Sequence, residues 1–503
     1  MATEYKKLKS GTDIRGVAVE TEGSPVQLTD ETVYALTCGF ARFLQKKDVA
    51  PQSRIAVGHD SRISAERIKT QVLRALCDCG YTAVDCGLAS TPAMFMTTVD
   101  FDCSGAVQIT ASHHPYDRNG LKFFMKDGGV DSGDLDAIIN FAVDGALTPE
   151  KKGSVETADY MPIYAKRLRD MIIREVNAKD YEHPLKGYHI IVDAGNGVGG
   201  FYATDVLAPL GADVSGSQFL DPDGTFPNHA PNPENAEAMA SVSAATVKSK
   251  ADLGIIFDTD VDRASCVDKH GKEINRNRLV ALASLIALEG NDGGTIVTDS
   301  VTSTGLTSFI NETLGGKHYR YMRGYRNVIN KQLELNKKGV NCPLAIETSG
   351  HAAFRENYHL DDGAYLMTKI VIKLSQMGQD GKELDALIAD LHDPLEAKEI
   401  RLKIGCDDFK SYGKSIIASL QLAALGNPGW RVADDNREGI RIFFDDPALN
   451  GWFLLRLSVH DPIIPINIES DAPGGTKKIA ATLLCFLTSF GCLDLAPLRA
   501  YLQ

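Results

Sequence analysis

Three aspartates at alternate positions, Asp258, Asp260 and Asp262, stand in ADLGIIFDTDVDRA directly after an apolar run. Carboxylates gathered at a strand end repel one another unless a cation joins them. A hard divalent ion such as Mg²⁺ is the simplest one, because it prefers carboxylate oxygens and keeps positions free for a phosphate oxygen. Arg263 adds a fixed positive charge next door. A solvated acidic turn is the plainer reading of alternating aspartates, and the preceding strand and adjacent arginine weigh against it.

Three further clusters carry reactive groups. SGAVQITASHHPYDRNGLKFF ends a strand at Ser112, His113 and His114 and places Lys122 on the next strand. A hydroxyl beside titratable groups meets the requirements of covalent catalysis, although a lone loop serine reads more readily as a turn or cap. AIETSGHAAF sets Glu347, Ser349 and His351 at alternate positions. Such a row can pair with vicinal sugar hydroxyls, or it is a helix-capping loop. LLRLSVHDP places Arg456, Ser458 and His460 beyond a strand, and EGIRIFF adds Arg441. Arginine forks and a hydroxyl suit an anchoring phosphate, with ordinary surface ion pairing as the alternative. The glycines of VDAGNGVGG miss the dinucleotide-binding spacing, so that segment is a tight strand-to-helix turn.

These loops need elements to hold them. Short β-branched runs alternate with helical stretches, as in SRIAVGHD, AERIKTQVLRALCDCG and TAVDCGLAS, and the grammar returns in GYHIIVDAGNG, ADLGIIFDTD and GGTIVTDS. That is how βαβ units read. The expected fold is α/β, with three consecutive mixed-sheet domains of similar topology. From EAKEIRLKIG onward RIFF, WFLLRLSV and IPINIES surround helices such as KKIAATLLCFLTSF, which predicts an α+β domain on an antiparallel sheet. Polar interruptions at EKKGSVET and DKHGKEIN place seams so that the domains run 1–155, 156–268, 269–392 and 393–503.

Composition bounds the function. With 503 residues, 44% apolar and 24% charged, and no apolar run of membrane length, the chain reads as a soluble multidomain protein. A net charge of −13 argues against a nucleic-acid footprint. Ten scattered cysteines without CxxC pairs predict free thiols in a reducing compartment. MATEYKKLKSGTDIRG has no secretory character, so a cytoplasmic location is expected, or an organelle reached after removal of a targeting segment.

Together GTDIRG at 11–16, VGHDSR at 57–62, TASHHP at 110–115, DGTFPNHAPNP at 223–233, DTDVDR at 258–263 and ETSGH at 347–351 resemble the α-D-phosphohexomutase family. The phosphomannomutase/phosphoglucomutase branch is the nearest. The resemblance spans nearly the whole chain. It implies four domains around a central cleft, contributing a phosphoserine loop, a metal loop, a sugar-reading loop and a phosphate cradle in that order.

The implied reaction interconverts hexose 1-phosphate and hexose 6-phosphate, of glucose, mannose or both, through a hexose 1,6-bisphosphate. Ser112 would carry the phosphoryl group and join Asp258, Asp260 and Asp262 on Mg²⁺. Arg15, Lys122 and Arg263 would surround it. Lys122, crowded by Arg15 and Arg263, is the expected general acid/base, with His113 and His59 as competitors. Glu347, Ser349, His351, Arg323, Tyr325, Arg441, Arg456, Ser458 and His460 would bind the substrate.

This chain departs from the family pattern at His460, where the loop commonly has threonine, at Tyr325, where histidine is frequent, and at Thr348. These departures bear on which sugar is preferred, a glucosamine phosphate included. A small-molecule sugar phosphate is the expected partner, with no nucleic acid or membrane, and the assembly a monomer or homodimer. Two other readings remain. IIFDTDV also resembles the haloacid-dehalogenase-type phosphatase motif, in which Asp258 would be the nucleophile, and a non-catalytic sugar-phosphate-binding protein would keep the same fold.

Overall fold

A computed structural model describes residues 2–379, 383–458 and 461–503. In the first sheet, strand Arg54–His59 lies between Thr82–Leu88 and Gly105–Ile109, parallel to both. Arg118–Met125 then runs antiparallel to Gly105–Ile109, and Asp13–Val17 antiparallel to Arg118–Met125. Gly105–Ile109 is buried throughout, which is why its sequence lacks the polar alternation of a one-sided sheet. Phe40, from helix Asp30–Lys46, stacks on Phe123 at 4.6 Å in the core beneath.

The second block repeats this winding. Strand Ile190–Asp193 pairs in parallel with Leu253–Phe257 and meets residues 213 and 218 through parallel bridges on its other side. Ala264–Asp268 returns antiparallel to Leu253–Phe257. In the third, Thr295–Thr298 lies between Lys317–Arg320 and Leu344–Ile346, all parallel, and the chain continues through residues 347–351 into Ala352–Phe354. The expectation of three mixed-sheet domains of similar topology therefore holds. The loops TASHHP, DTDVDR and ETSGH occupy equivalent places, each following a buried parallel strand and leading into the next strand of its sheet: Gly105–Ile109 to Arg118–Met125, Leu253–Phe257 to Ala264–Asp268, and Leu344–Ile346 to Ala352–Phe354.

The C-terminal block is an antiparallel sheet ordered Glu396–Lys403, Ile463–Ser470, Gly451–Leu455, Ile440–Phe444 and Trp430–Val432. Ile400, Ile442, Phe453, Leu455, Ile466 and Ile468 point to a core shared with helices Phe409–Gly426 and Gly475–Leu487. The period-two alternation sends Arg441, Trp452 and Glu469 to the other face.

The chain forms two compact units, one reaching to Ala287 and including Ser349–Ala389, the other comprising Leu288–Thr348 and Asp390–Gln503. Two expected seams fall inside sheets. Val155–Thr157 pairs with Thr82–Leu88, and DKHG is a hairpin turn leading to Glu273–Ile274, which pairs with Ala264–Asp268. All ten cysteines are free thiols. No helix among the described residues is long and apolar enough to cross a membrane.

Candidate active site

Ser112 sits in the loop between Gly105–Ile109 and Arg118–Met125 with φ of 49°. A residue with a Cβ stays in that left-handed region only where its surroundings hold it. The holder is Arg62. Its buried guanidinium donates to the carbonyls of Ser112 at 2.5 Å, His114 at 2.6 Å, Pro115 at 2.6 Å and Arg118 at 2.9 Å. Asp60 fixes the arginine through Nε at 3.2 Å and also accepts from Thr110 Oγ1 at 2.6 Å. Thr259 Oγ1 donates to the Ser112 carbonyl at 2.7 Å. So fixed, Ser112 Oγ donates to Asp258 Oδ2 at 2.8 Å and accepts from Arg263 Nη2 at 3.1 Å.

The aspartate loop is equally constrained. Val261 has φ of 68°, a strained value for a β-branched residue, and its N–H turns back to the Asp258 carbonyl at 3.4 Å. Asp258, Asp260 and Asp262 are buried and offer oxygens within 4.8 Å of one another. Burial, then Asp262 and Asp260, push the Asp258 carboxyl well above the ordinary range. Against burial, Lys122, His351 and Arg263 hold Asp262 low. Asp260 Oδ1 and Asp262 Oδ1 have no hydrogen-bond partner. Hard oxygen donors, buried and with lone pairs to spare, fit a Mg²⁺-type ion.

Beside the strand of Arg15, which has Gly120 as its cross-strand partner, stands Lys122. Its ammonium is ion-paired with Asp262 and lies 3.3 Å from Asp260 Oδ2. Arg15 pairs with Asp13 at 2.9 Å and donates to the Thr110 carbonyl at the base of the serine loop. His113 Nδ1 is 3.4 Å from Ser112 Oγ, and Arg263, then burial, keep the imidazole neutral. His59 is engaged elsewhere, Nδ1 with the Asp60 carbonyl at 2.7 Å and Nε2 with Glu66 at 3.2 Å.

His351 joins the aspartates. Its Nδ1 is 2.6 Å from Asp361 Oδ2 and 4.0 Å from Asp262 Oδ1. Against burial, Asp361 and Asp262 raise its pKa to about 9, so it carries charge at neutral pH. Ser349 is buried, and its Oγ has no hydrogen-bond partner.

The other expected binding residues belong to the second unit. Glu347 Oε1 accepts from the Gly324 N–H at 2.6 Å, and Glu438 Oε2 accepts from the adjacent Arg323 N–H at 3.1 Å. Two carboxylates thus grip one turn, whose Gly324 has φ of 115°. Arg323 Nε is 3.9 Å from Asp299 Oδ2, and Tyr325 opens helix Tyr325–Lys337, half-buried. Arg456 is nearly buried with Nε unpartnered, and Glu438, Arg323, Glu399 and Asp299 are the charges acting on it. Ser458 Oγ accepts from the Asp461 N–H at 3.3 Å. Arg441 is drawn inward, its guanidinium 3.5 Å from the Trp452 ring centroid and donating to the carbonyls of Ser300 and Thr302. His460 lies outside the described residues.

Sequence reasoning did not single out Arg62, Asp60, Thr91, Asp361 or Glu438 individually. Asp60 and Arg62 had a signal, the charged pair closing VGHDSR at a strand end. Thr91 donates to Asp260 Oδ2 across a separation of 169 residues, which no local pattern announces.

A loop-borne serine against a cluster of buried carboxylates that could hold a cation, on repeated mixed-sheet blocks, is an arrangement suited to group transfer. Models of phosphoglucomutase/phosphomannomutase α/β/α domains I, II and III match residues 6–146, 164–271 and 275–394. The phosphoglucomutase of Neisseria gonorrhoeae is 30% identical over 485 residues, covering 95% of this chain and 96% of that protein. The phosphomannomutase/phosphoglucomutase of Pseudomonas aeruginosa is 31% identical, covering 93% and 92%. A crystal structure of a phosphoglucomutase/phosphomannomutase family protein from Burkholderia thailandensis shares the fold, with TM-score 0.79 at 24% identity over 96% of this chain and 97% of that one.

The chain belongs to the phosphoglucomutase/phosphomannomutase family, the α-D-phosphohexomutases. It is a phosphohexomutase, an intramolecular phosphotransferase. DTDVDR falls in domain II of that family, which removes the haloacid-dehalogenase reading of Asp258.

Proposed function

We propose that the protein moves a phosphoryl group between O1 and O6 of a hexose phosphate through phosphorylated Ser112 and a hexose 1,6-bisphosphate. The observation that carries this reading is Ser112 Oγ held between Asp258 Oδ2 at 2.8 Å and Arg263 Nη2 at 3.1 Å, beside two orphaned carboxylate oxygens. Asp258, Asp260 and Asp262, with an oxygen of Ser112, would hold Mg²⁺, which when bound supplies positive charge to a transferring phosphoryl group.

The chain's own groups do the rest. In the forward half-reaction the Ser112 Oγ–P bond breaks and a bond from phosphorus to the free sugar hydroxyl forms; the hydroxyl proton leaves to a base. The Lys122 ammonium is suited to donate a proton to the leaving oxygen and, once neutral, to accept one from the sugar hydroxyl. In the return half-reaction Ser112 takes back the phosphoryl group from the other end of the bisphosphate. Arg263 and Arg15 offset the negative charge of the phosphoryl oxygens. Glu347, Ser349 and His351 read the sugar, and Arg323, Tyr325, Arg456, Ser458 and His460 anchor the phosphate that does not react, with Arg441 bracing the loop at Ser300.

Relatives named for glucose and mannose phosphates support those sugars as substrates. Ser112→Ala tests the reading. Turnover should fall by about 10³-fold or more with the fold intact, and the phosphoserine of the wild type should vanish from the mass spectrum. Normal turnover in that variant sinks the assignment.

A further inference from the structure

DGTFPNHAPNP holds none of the reacting groups, yet it meets both arginines that govern Ser112. At one end the Phe226 ring lies 5.2 Å from the guanidinium of Arg62, which gathers the serine-loop carbonyls. At the other, Asn232 Oδ1 accepts from Arg263 Nη1 at 3.3 Å and Glu234 lies 3.8 Å from the same nitrogen. The other contacts of Arg263, Nη2 on Ser112 Oγ and Nε on Asp258 Oδ2, are with groups that change during the reaction. Among the described residues, only those at Nη1 hold this guanidinium from outside the chemistry.

The segment is itself anchored firmly. His229 Nε2 lies 3.0 Å from both oxygens of Asp193, which closes strand Ile190–Asp193, and its Nδ1 lies 3.0 Å from the Ala230 carbonyl. Two acceptors on one ring call for an imidazolium, so this is a buried ion pair. Asp193 also accepts from the Gly195 N–H at 2.9 Å and Gln218 Nε2 at 2.7 Å. Asn228 donates to Asn196 at 2.8 Å. Pro231 sits where a Cβ on Gly195, itself at φ of 53°, would meet it at 3.0 Å. Pro227, Pro231 and Pro233 fix the backbone between these anchors.

We propose that this segment is a positioning arm. Pinned at Asp193 through His229, it holds Arg263 in register through Asn232 while Ser112 gains and loses its phosphoryl group. Asn232 and Glu234 are then positioning residues. The inference rests on Ser112 as the phosphoryl carrier, which the Ser112→Ala experiment decides separately.

The test compares Asn232→Ala, Asn232→Asp and Glu234→Gln with the wild type, in steady-state turnover with Mg²⁺ and the bisphosphate and in single-turnover transfer from the isolated phosphoenzyme. Asn232→Ala should lower kcat and the transfer rate together by about 10–100-fold, with KM for the sugar phosphate within about twofold. Asn232→Asp, which keeps the acceptor oxygen, should recover most of the loss, and Glu234→Gln should cost less than Asn232→Ala. An unchanged kcat in Asn232→Ala overturns the proposal. So does a loss that Asn232→Asp does not rescue, or one that appears in KM alone. If Asn232→Ala unfolds, the Asn232→Asp and Glu234→Gln rates decide: more than tenfold loss in either overturns the acceptor role, and near wild-type transfer in the former with a smaller loss in the latter supports it.

Discussion

Among the described residues, the three-aspartate cluster beside Ser112 leaves two buried atoms without hydrogen-bond partners, and both are carboxylate acceptors, Asp260 Oδ1 and Asp262 Oδ1. On the polar face of the C-terminal sheet they are of both kinds, with the Nε of Arg456, the Nε and Nη2 of Arg441 and the Nε1 of Trp452 as donors and Asn467 Oδ1 and Glu469 Oε2 as acceptors. Unsatisfied carboxylates alone ask for a cation. Mixed donors and acceptors are satisfied by water or by a ligand bearing hydroxyls and phosphate oxygens. The first region is thus governed by charge count, the second by hydrogen-bond geometry. Substitutions that keep one property and change the other separate them.

Asp260→Asn keeps the shape of the first region and removes one charge. Its Oδ2, which accepts from Thr91 and lies near Lys122, is then one end of a neutral amide. Turnover at fixed Mg²⁺ should fall by about 10²–10³-fold, and the metal dependence should shift to higher concentration. A titration with the wild-type midpoint would show that this carboxylate does not hold the ion. Arg456→Lys is the reverse experiment, keeping charge and losing the planar fork. It should raise KM for the sugar phosphate by about tenfold, in line with the roughly 1.5–3 kcal/mol of a hydrogen bond to a charged group, and leave the kcat of the Ser112 chemistry within a few-fold. A fall in kcat with KM unchanged would place Arg456 outside phosphate binding.

The two regions also differed in how well the sequence revealed them. The aspartates were legible because three carboxylates in five residues have few explanations. The repeated fold was legible because buried strands ending in polar loops recur, and those loops turned out to be equivalent connections. What local sequence could not show is contact across distance. The grip of Arg62 on the serine loop joins residues more than fifty apart. His351, which read as a sugar contact beside Glu347, also meets Asp361 and Asp262, which the loop pattern did not announce. Alternation along a loop does not fix side-chain direction as it does along a strand. For Lys122 the sequence supplied the right neighbourhood and missed the carboxylates, because its contacts with Asp260 and Asp262 span 138 and 140 residues.

The smallest expected effect sharpens the comparison within the second region. Glu469 lies on the polar face of its sheet beside Arg441, and burial, opposed by Arg441, raises its pKa from an ordinary 4.5 to about 7. A raised carboxyl pKa means that between pH 4.5 and 7 the folded protein keeps a proton that the unfolded chain releases. Stability should therefore fall as pH rises through that window and level off above it, by on the order of 1–3 kcal/mol. Glu469→Gln removes the titration while keeping size and an acceptor. Urea unfolding of the wild type and the variant at pH 5 and pH 7.5 should give a pH difference in the first and a smaller one in the second. Equal differences would mean that Glu469 remains charged in the fold, paired with Arg441, and that the polar face is an ion pair rather than a network held by hydrogen bonds.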